Sequence, residues 1–189
     1  MNLSEKVALV TGGAKRVGRA VAVKLAQAGC NVAITYLTSK AEADETVHMI
    51  HAAGAKGWAM KVDLNDPNAS GRIRKELLKV TDRLDVLVNN ASVFGKTVWG
   101  KIQREQWHEH LRLNVTAPVM ITQELADVLA AHDGGRVINF VDIHVMGRPR
   151  RDYLAYNVSK AALLEATQSL AIELAPKVTV NAIAPGVVA

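Results

Sequence analysis

Four polar side chains of this 189-residue chain stand where they could manage a proton: Asp142, Tyr156, Lys160 and Asn114. Tyr156 and Lys160 are four residues apart, so on a helix they lie on one face, a turn apart. An ammonium beside a phenol stabilises phenolate and lowers the tyrosine pKa, which makes a proton donor usable near neutral pH. An ordinary surface pair has the same spacing. Asp142 closes the apolar run RVINFVD (136–142). Burying a carboxylate without a partner costs on the order of several kcal/mol, so this charge is either solvated, paired with Arg148, Arg150 or Arg151 in the following loop, or used. Asn114 interrupts the apolar stretch HLRLNVTAPVMI four residues before Pro118, where the helical ladder must break. Such a kink can free a carbonyl to hold water, or the side chain can simply adjust the kink.

A second group of residues could hold phosphate. In VTGGAKRVGRA (10–20), glycines allow a tight turn and close backbone approach, and the helix that follows offers free N–H groups and a positive dipole end. A dinucleotide fits this turn, built from Gly12, Lys15, Arg16, Val17 and Gly18. NAD-selective sites use an acid near the end of the second strand to bond the ribose. Here TYLTSK (35–40) has none and offers Tyr36, Ser39 and Lys40. With Lys15 and Arg16 nearby, NADPH is favoured over NADH. Asp63, in KVDLND, could accept from an adenine amino group, whereas Asn65 or Asp66 suits the cap of the next helix.

These residues need elements to position them. Short apolar runs at 6–11, 31–36, 57–62, 85–90, 136–141 and 178–184 read as strands, and 17–28, 40–53, 68–81, about 103–131 and 153–175 carry helix-spaced apolar residues. Strands separated by helices pair in parallel through right-handed crossovers. The expectation is a Rossmann-like α/β fold, a doubly wound parallel sheet in three layers, with ligands outside the carboxyl ends of the strands. Hydrophobic residues are 49% of the chain and aromatics 4%, which favours layered Val, Ala, Leu and Ile cores. The length suits a single domain over 1–189. Lys and Arg are scattered through a net charge of +5, which argues against nucleic acid. No apolar stretch approaches the ~20 residues of a membrane helix. Cys30 is the sole cysteine and reads as packing, and no leader is visible, so a cytoplasmic location is expected. His48/His51 and His108/His110 lack metal-ligand spacing, so no metal is expected. Trp58, Trp99 and Trp107 read as packing.

TGGAKRVG, VDL, NNAS (89–92), LN (113–114), YNVSK (156–160) and NAIAPG (181–186) occur in the order and at the spacings of the short-chain dehydrogenase/reductase family, and the resemblance spans essentially the whole chain. It implies a cofactor cleft that also takes in Leu64, Asn90, Ala91, Ser92, Pro185 and Gly186, with Lys160 and Tyr156 on the nicotinamide ribose. It also implies a water relay from Lys160 through the Asn114 kink. Four departures resemble the pteridine reductase subgroup: Arg16 replaces a turn glycine, Asp142 replaces the strand-five serine, Ser92 ends N-N-A-S, and Phe94 follows two residues on. An ionised aspartate cannot donate as serine does. It suits accepting from Tyr156 and passing protons to a basic ring nitrogen, while Phe94 stacks on a flat heterocycle and Arg16 and Ser92 contact its edge.

The resemblance thus implies an NADPH-dependent reductase of pterins, with folates possible substrates. The alternatives are a carbonyl reductase of 3-oxoacyl thioesters or sugar-like ketones, and an NADPH-binding sensor without turnover. Relatives continue past NAIAPGVVA through a substrate loop, helix and strand, so a C-terminal part is expected to be missing. Family analogy also implies a homotetramer packed through 103–131 and 153–175.

Overall fold

The computed structural model describes residues 3–186. Strands β1 (Val7–Val10), β2 (Asn31–Tyr36), β3 (Gly57–Lys61), β4 (Val86–Asn89), β5 (Gly135–Phe140) and β6 (Val178–Ile183) form one parallel sheet in the order β3-β2-β1-β4-β5-β6. Between them run helices α1 (Arg16–Gln27), α2 (Lys40–Ala52), α3 (Ala69–Leu77), α4 (Arg104–Leu111), α5 (Ala117–Ala130) and α6 (Leu154–Glu173). The order reverses between β1 and β4, which opens a crevice at their carboxyl ends.

Strand pleating sends alternate side chains to opposite faces. Ala33, Leu9, Leu87, Val137 and Val180 are laterally paired across β2, β1, β4, β5 and β6, and join α3 and α5 residues such as Ile73, Leu77, Ile121 and Leu125 in one buried layer. Ala8, Val10, Val32, Ile34, Val86 and Val88 face the other way, against Ala22 and Ala26 of α1 and Ala43 and Ile50 of α2. Fully burying each large aliphatic side chain stabilises by roughly 1.5–3 kcal/mol, so two such layers hold the sheet as a rigid platform. At its amino end, buried Asp85 accepts the Val7 N–H and the Arg83 guanidinium, with Lys6 3.3 Å away.

Three expectations are corrected. The helix expected over 68–81 ends at Leu77, and the chain turns through Val80 and Thr81. The irregularity expected at Asn114 within 103–131 is present, but as a π-helical turn at Arg112–Thr116 between α4 and α5, which accommodates one extra residue and keeps helical bonding instead of opening the ladder. Trp99 is 83% exposed on the loop after β4 and packs on no core layer, whereas Trp58 does. Among the described residues no helix is long and apolar enough to cross a membrane.

Candidate active site

Backbone and hydroxyl bonds hold the crevice open. The Thr11 hydroxyl accepts the N–H groups of Asn90 (3.0 Å) and Ala91 (3.1 Å), and the Asn90 amide donates to the carbonyls of Thr11 and Gly12. The Gly12 N–H donates to Thr35 Oγ1 at 3.1 Å. These bonds tie the ends of β1, β2 and β4 into one rim. Gly12 has φ +63°, and a Cβ on Gly18 would strike the Gly12 carbonyl and the Asn90 amide, so the turn and helix α1 meet in a geometry that glycine alone allows. Arg16, at the position of the replaced glycine, keeps a left-handed φ of +52°.

The resulting cleft of about 440 Å³ is lined by Gly12, Lys15, Arg16, Val17 and Gly18 from the first turn, Tyr36 and Ser39 after β2, Asp63 and Leu64 after β3, and Asn90, Ala91 and Ser92 after β4. Lys15 and Arg16 are exposed there and pair with no carboxylate among the described residues. These features fit a phosphorylated dinucleotide: close backbone approach, free cations and no acid at the end of β2. Thr38, between Tyr36 and Ser39, also faces the cleft and escaped the sequence reading. Lys40 does not join it, because its ammonium is held by Asp44 one helical turn on at 2.7 Å. Asp63 accepts the Asn65 N–H, and Asp66 accepts the Asn68 N–H, so neither Asn65 nor Asp66 caps α3, whose first flanking residue is Asn68.

A second cleft, about 730 Å³, continues from the first through Arg16, Val17, Asn90 and Ser92 to Phe94, Asp142, Tyr156, Lys160, Pro185 and Gly186. Tyr156 and Lys160 lie on the first turns of α6 and both face this cleft. The Tyr156 hydroxyl donates to Asp142 Oδ2 at 2.8 Å, and Asp142 Oδ1 accepts the His144 N–H at 2.8 Å, which starts a short 3-10 turn. Asp142 is therefore half-buried with one bond at each oxygen, and it makes no ion pair with Arg148, Arg150 or Arg151 among the described residues.

The electrostatics differ from the sequence expectation. Burial first, then the bond to Asp142 and its charge, push the Tyr156 phenol well above the usual tyrosine range, and only Arg150 opposes them. The Lys160 ammonium donates to the Phe140 carbonyl at 2.6 Å and lies 6.0 Å from the Tyr156 ring centroid. Burial lowers Lys160 to about 8, against an upward pull from Asp142. Tyr156 thus stays protonated with its hydrogen directed at a carboxylate, while Lys160 is the group poised to change charge near neutral pH.

Asn114 is 0% exposed and lines neither cleft. Its amide donates to the Val93 carbonyl (3.1 Å) and Ser159 Oγ (2.9 Å), and its oxygen accepts from the Val93 N–H (2.9 Å) and Ser92 Oγ (3.1 Å). The π-helical turn thereby joins the loop after β4 to α6, next to Lys160. Ser159, adjacent to the tyrosine–lysine motif, was a partner the sequence reading missed.

One wall of the second cleft is aromatic. Phe94, 54% exposed, stacks on Tyr153 at 4.7 Å with planes 14° apart and meets Tyr156 edge-on at 4.8 Å. Thr97 buttresses this wall: its N–H donates to the Asp152 carbonyl, and its hydroxyl accepts the Ala155 N–H at the start of α6. Tyr153 and Thr97 carry no sequence signal, since only the fold brings their loops together. Cys30 is buried, with its thiol pushed up to about 11 chiefly by burial. His110 is buried on α4 with Nδ1 at 2.8 Å from the Gln106 carbonyl.

The family model of short chain dehydrogenases matches residues 6–189. A 3-oxoacyl-[acyl-carrier-protein] reductase of Synechocystis is 34% identical over 189 residues, which cover 99% of this chain and 76% of that protein. Among solved structures, a short chain dehydrogenase from Burkholderia cenocepacia in complex with NADP superposes with a TM-score of 0.93 at 35% identity, covering 98% of this chain and 76% of that one. FolM alternative dihydrofolate reductase 1 from Brucella canis, complexed with NADP, superposes with a TM-score of 0.90 at 32% identity, covering 98% and 75%.

Proposed function

The chain belongs to the short-chain dehydrogenase family, and from that premise we propose that it is an NADPH-dependent reductase of a pterin-like heterocycle, acting at a ring C=N bond. NADP accompanies two of the similar structures, and the residues fit it: Gly12 and Gly18 for close approach, Lys15 and Arg16 for phosphate, Tyr36 and Ser39 beside the adenosine ribose, Asp63 and Leu64 beside adenine, and Asn90, Ala91, Ser92, Pro185 and Gly186 along the nicotinamide half. Bound there, NADPH supplies hydride.

The observation that carries the substrate class is the 2.8 Å bond from Tyr156 to Asp142. A carbonyl reductase needs donors at the substrate oxygen, and here the strand-five residue is an acceptor whose second oxygen is already bonded to the His144 N–H. Carbonyl oxygen and ring nitrogen alike take up a proton once hydride has added to carbon. The difference at this site is that Asp142, an acceptor, suits a basic ring nitrogen that carries or receives that proton. Tyr156 holds one, and Asp142 relays it between phenol and ring. Lys160, lowered to about 8, restores the proton from the side of Asn114 and Ser159. Ser92 and Arg16 contact the ring edge, and Phe94 borders the site without the stacking on the heterocycle that was expected, because Tyr153 is stacked on its ring and Arg150 lies over it.

The name of the Synechocystis relative favours a second reading, reduction of a 3-oxoacyl thioester. NADPH oxidation measured with dihydrobiopterin and with an acetoacetyl thioester separates the two. Turnover of the pterin supports the first reading, and turnover of the thioester alone overturns it. The homotetramer is part of the proposal, since Met120, Val158 and Ile172 leave α5 and α6 with exposed apolar side chains. Sedimentation at equilibrium tests it.

A further inference from the structure

Arg150 stands on the loop between β5 and α6 and lines the second cleft with Asp142, Tyr156 and Lys160. Neither the dinucleotide nor the proton transfer uses it. Its position is built: the Arg150 N–H donates to Asn157 Oδ1 at 3.3 Å, and its carbonyl accepts from Asn157 Nδ2 at 2.7 Å. Asn157 follows Tyr156 on α6, so the arginine backbone is fixed relative to the phenol.

Its charge has no counterpart. Among the described residues no carboxylate lies within ion-pair distance of Arg150, and Asp142 is committed to Tyr156 and His144. The guanidinium lies over the Phe94 ring, 5.7 Å from its centroid, which engages its face and leaves its edge donors. One of those donors, Nε, is buried and has no hydrogen-bond partner. A buried charged donor left unpaired is costly, and the geometry of the fork matches a carboxylate or phosphate. The same charge reaches the phenol, which it pulls against burial and Asp142.

We infer that Arg150 selects the substrate by receiving an anionic group, a carboxylate or phosphate, on a short side chain of the ring reduced at Asp142 and Tyr156. This rests on the pterin reading. The side chain must be short because Phe94, under the guanidinium, itself touches the Tyr156 ring at 4.8 Å. An anion at the end of a long tail lies elsewhere.

The test compares 6-hydroxymethyl-7,8-dihydropterin with its phosphate ester and with the 6-carboxylate, on the wild-type protein and on Arg150→Gln and Arg150→Lys. The wild type should show a KM about tenfold or more lower for the two anionic pterins, an advantage that shrinks as salt is raised. Arg150→Gln should bring the ratio to within about twofold, and Arg150→Lys should keep part of it, since a point charge replaces the fork. A preference for the phosphate ester alone, or for the carboxylate alone, identifies which anion is received, and either supports the inference. A wild-type ratio near one, or a ratio unchanged in Arg150→Gln, overturns it while turnover of the pterins leaves the parent reading standing. Dihydrofolate is a further arm: a KM as sensitive to Arg150→Gln as that of the phosphate ester refutes the short reach. Failure to turn over any pterin overturns the parent reading and this one with it.

Discussion

Replacing Asp142 with Asn changes one proton acceptor and little else in shape. The amide oxygen can keep the 2.8 Å bond from the His144 N–H, which turns the amide NH2 toward Tyr156, where a carboxylate oxygen had accepted at 2.8 Å. The phenol then faces a donor, and the relay to a ring nitrogen is cut. Loss of a positioned acid-base group costs roughly 10²–10⁴ in rate, so kcat for dihydrobiopterin should fall by about that factor. The NADPH Kd should change little, because the phosphate-binding turn lies at the other end of the cleft. The bond to Asp142 and its charge both raise the Tyr156 pKa, second to burial, so the same variant should bring the tyrosinate titration to lower pH. Stopped-flow turnover and an ultraviolet difference titration, with Tyr156→Phe as the blank, measure both effects. A kcat within about threefold of wild type, with the titration unmoved, would refute the assignment of Asp142.

Lys160 gives a stability signature of defined sign. Its folded pKa of about 8 lies below the ordinary 10.5, so the unfolded chain binds more protons between these values and stability should rise with pH across that window; Lys160→Met should flatten the rise in Tm. Asp85 works in the opposite sense: burial raises its carboxyl, but the bonds from Arg83, the Val7 N–H and Lys6 prevail and hold it below the usual range. That contribution is present above the ordinary carboxylate pKa and is lost as pH falls through the lowered value, and Asp85→Asn should cost on the order of 3 kcal/mol in urea unfolding at neutral pH without moving the KM for NADPH. Arg16→Gly relieves a left-handed backbone at φ +52°, worth about 1 kcal/mol. Tm should rise while the NADPH Kd, read by fluorescence, weakens about tenfold or more through loss of a phosphate-facing charge.

How much of this was legible in the sequence follows from what each feature depends on. The strand and helix alternation is local, so the apolar runs located β2 to the residue at Asn31–Tyr36 and placed the other strands within a residue or two. The π-helical turn was signalled by Asn114 in an apolar run, but the side chain's role was not, because its partners Val93 and Ser159 come from two distant segments. The tyrosine–lysine spacing correctly put both residues on one face. It said nothing of the Phe140 carbonyl, which holds the Lys160 ammonium. Backbone acceptors leave no trace in residue identity. Arg150 was likewise one loop cation among three until the fold joined it to Asn157, Phe94 and the cleft.

The central claim is that hydride reaches a ring carbon while Asp142 and Tyr156 serve the neighbouring nitrogen. The most direct measurement offers dihydrobiopterin and an acetoacetyl thioester together to the protein with NADPH deuterated at the transferable position, and locates the label by mass spectrometry and NMR. One deuterium on the ring carbon of the reduced pterin is the predicted result; deuterium found only on the hydroxyl-bearing carbon of the acyl product would contradict it.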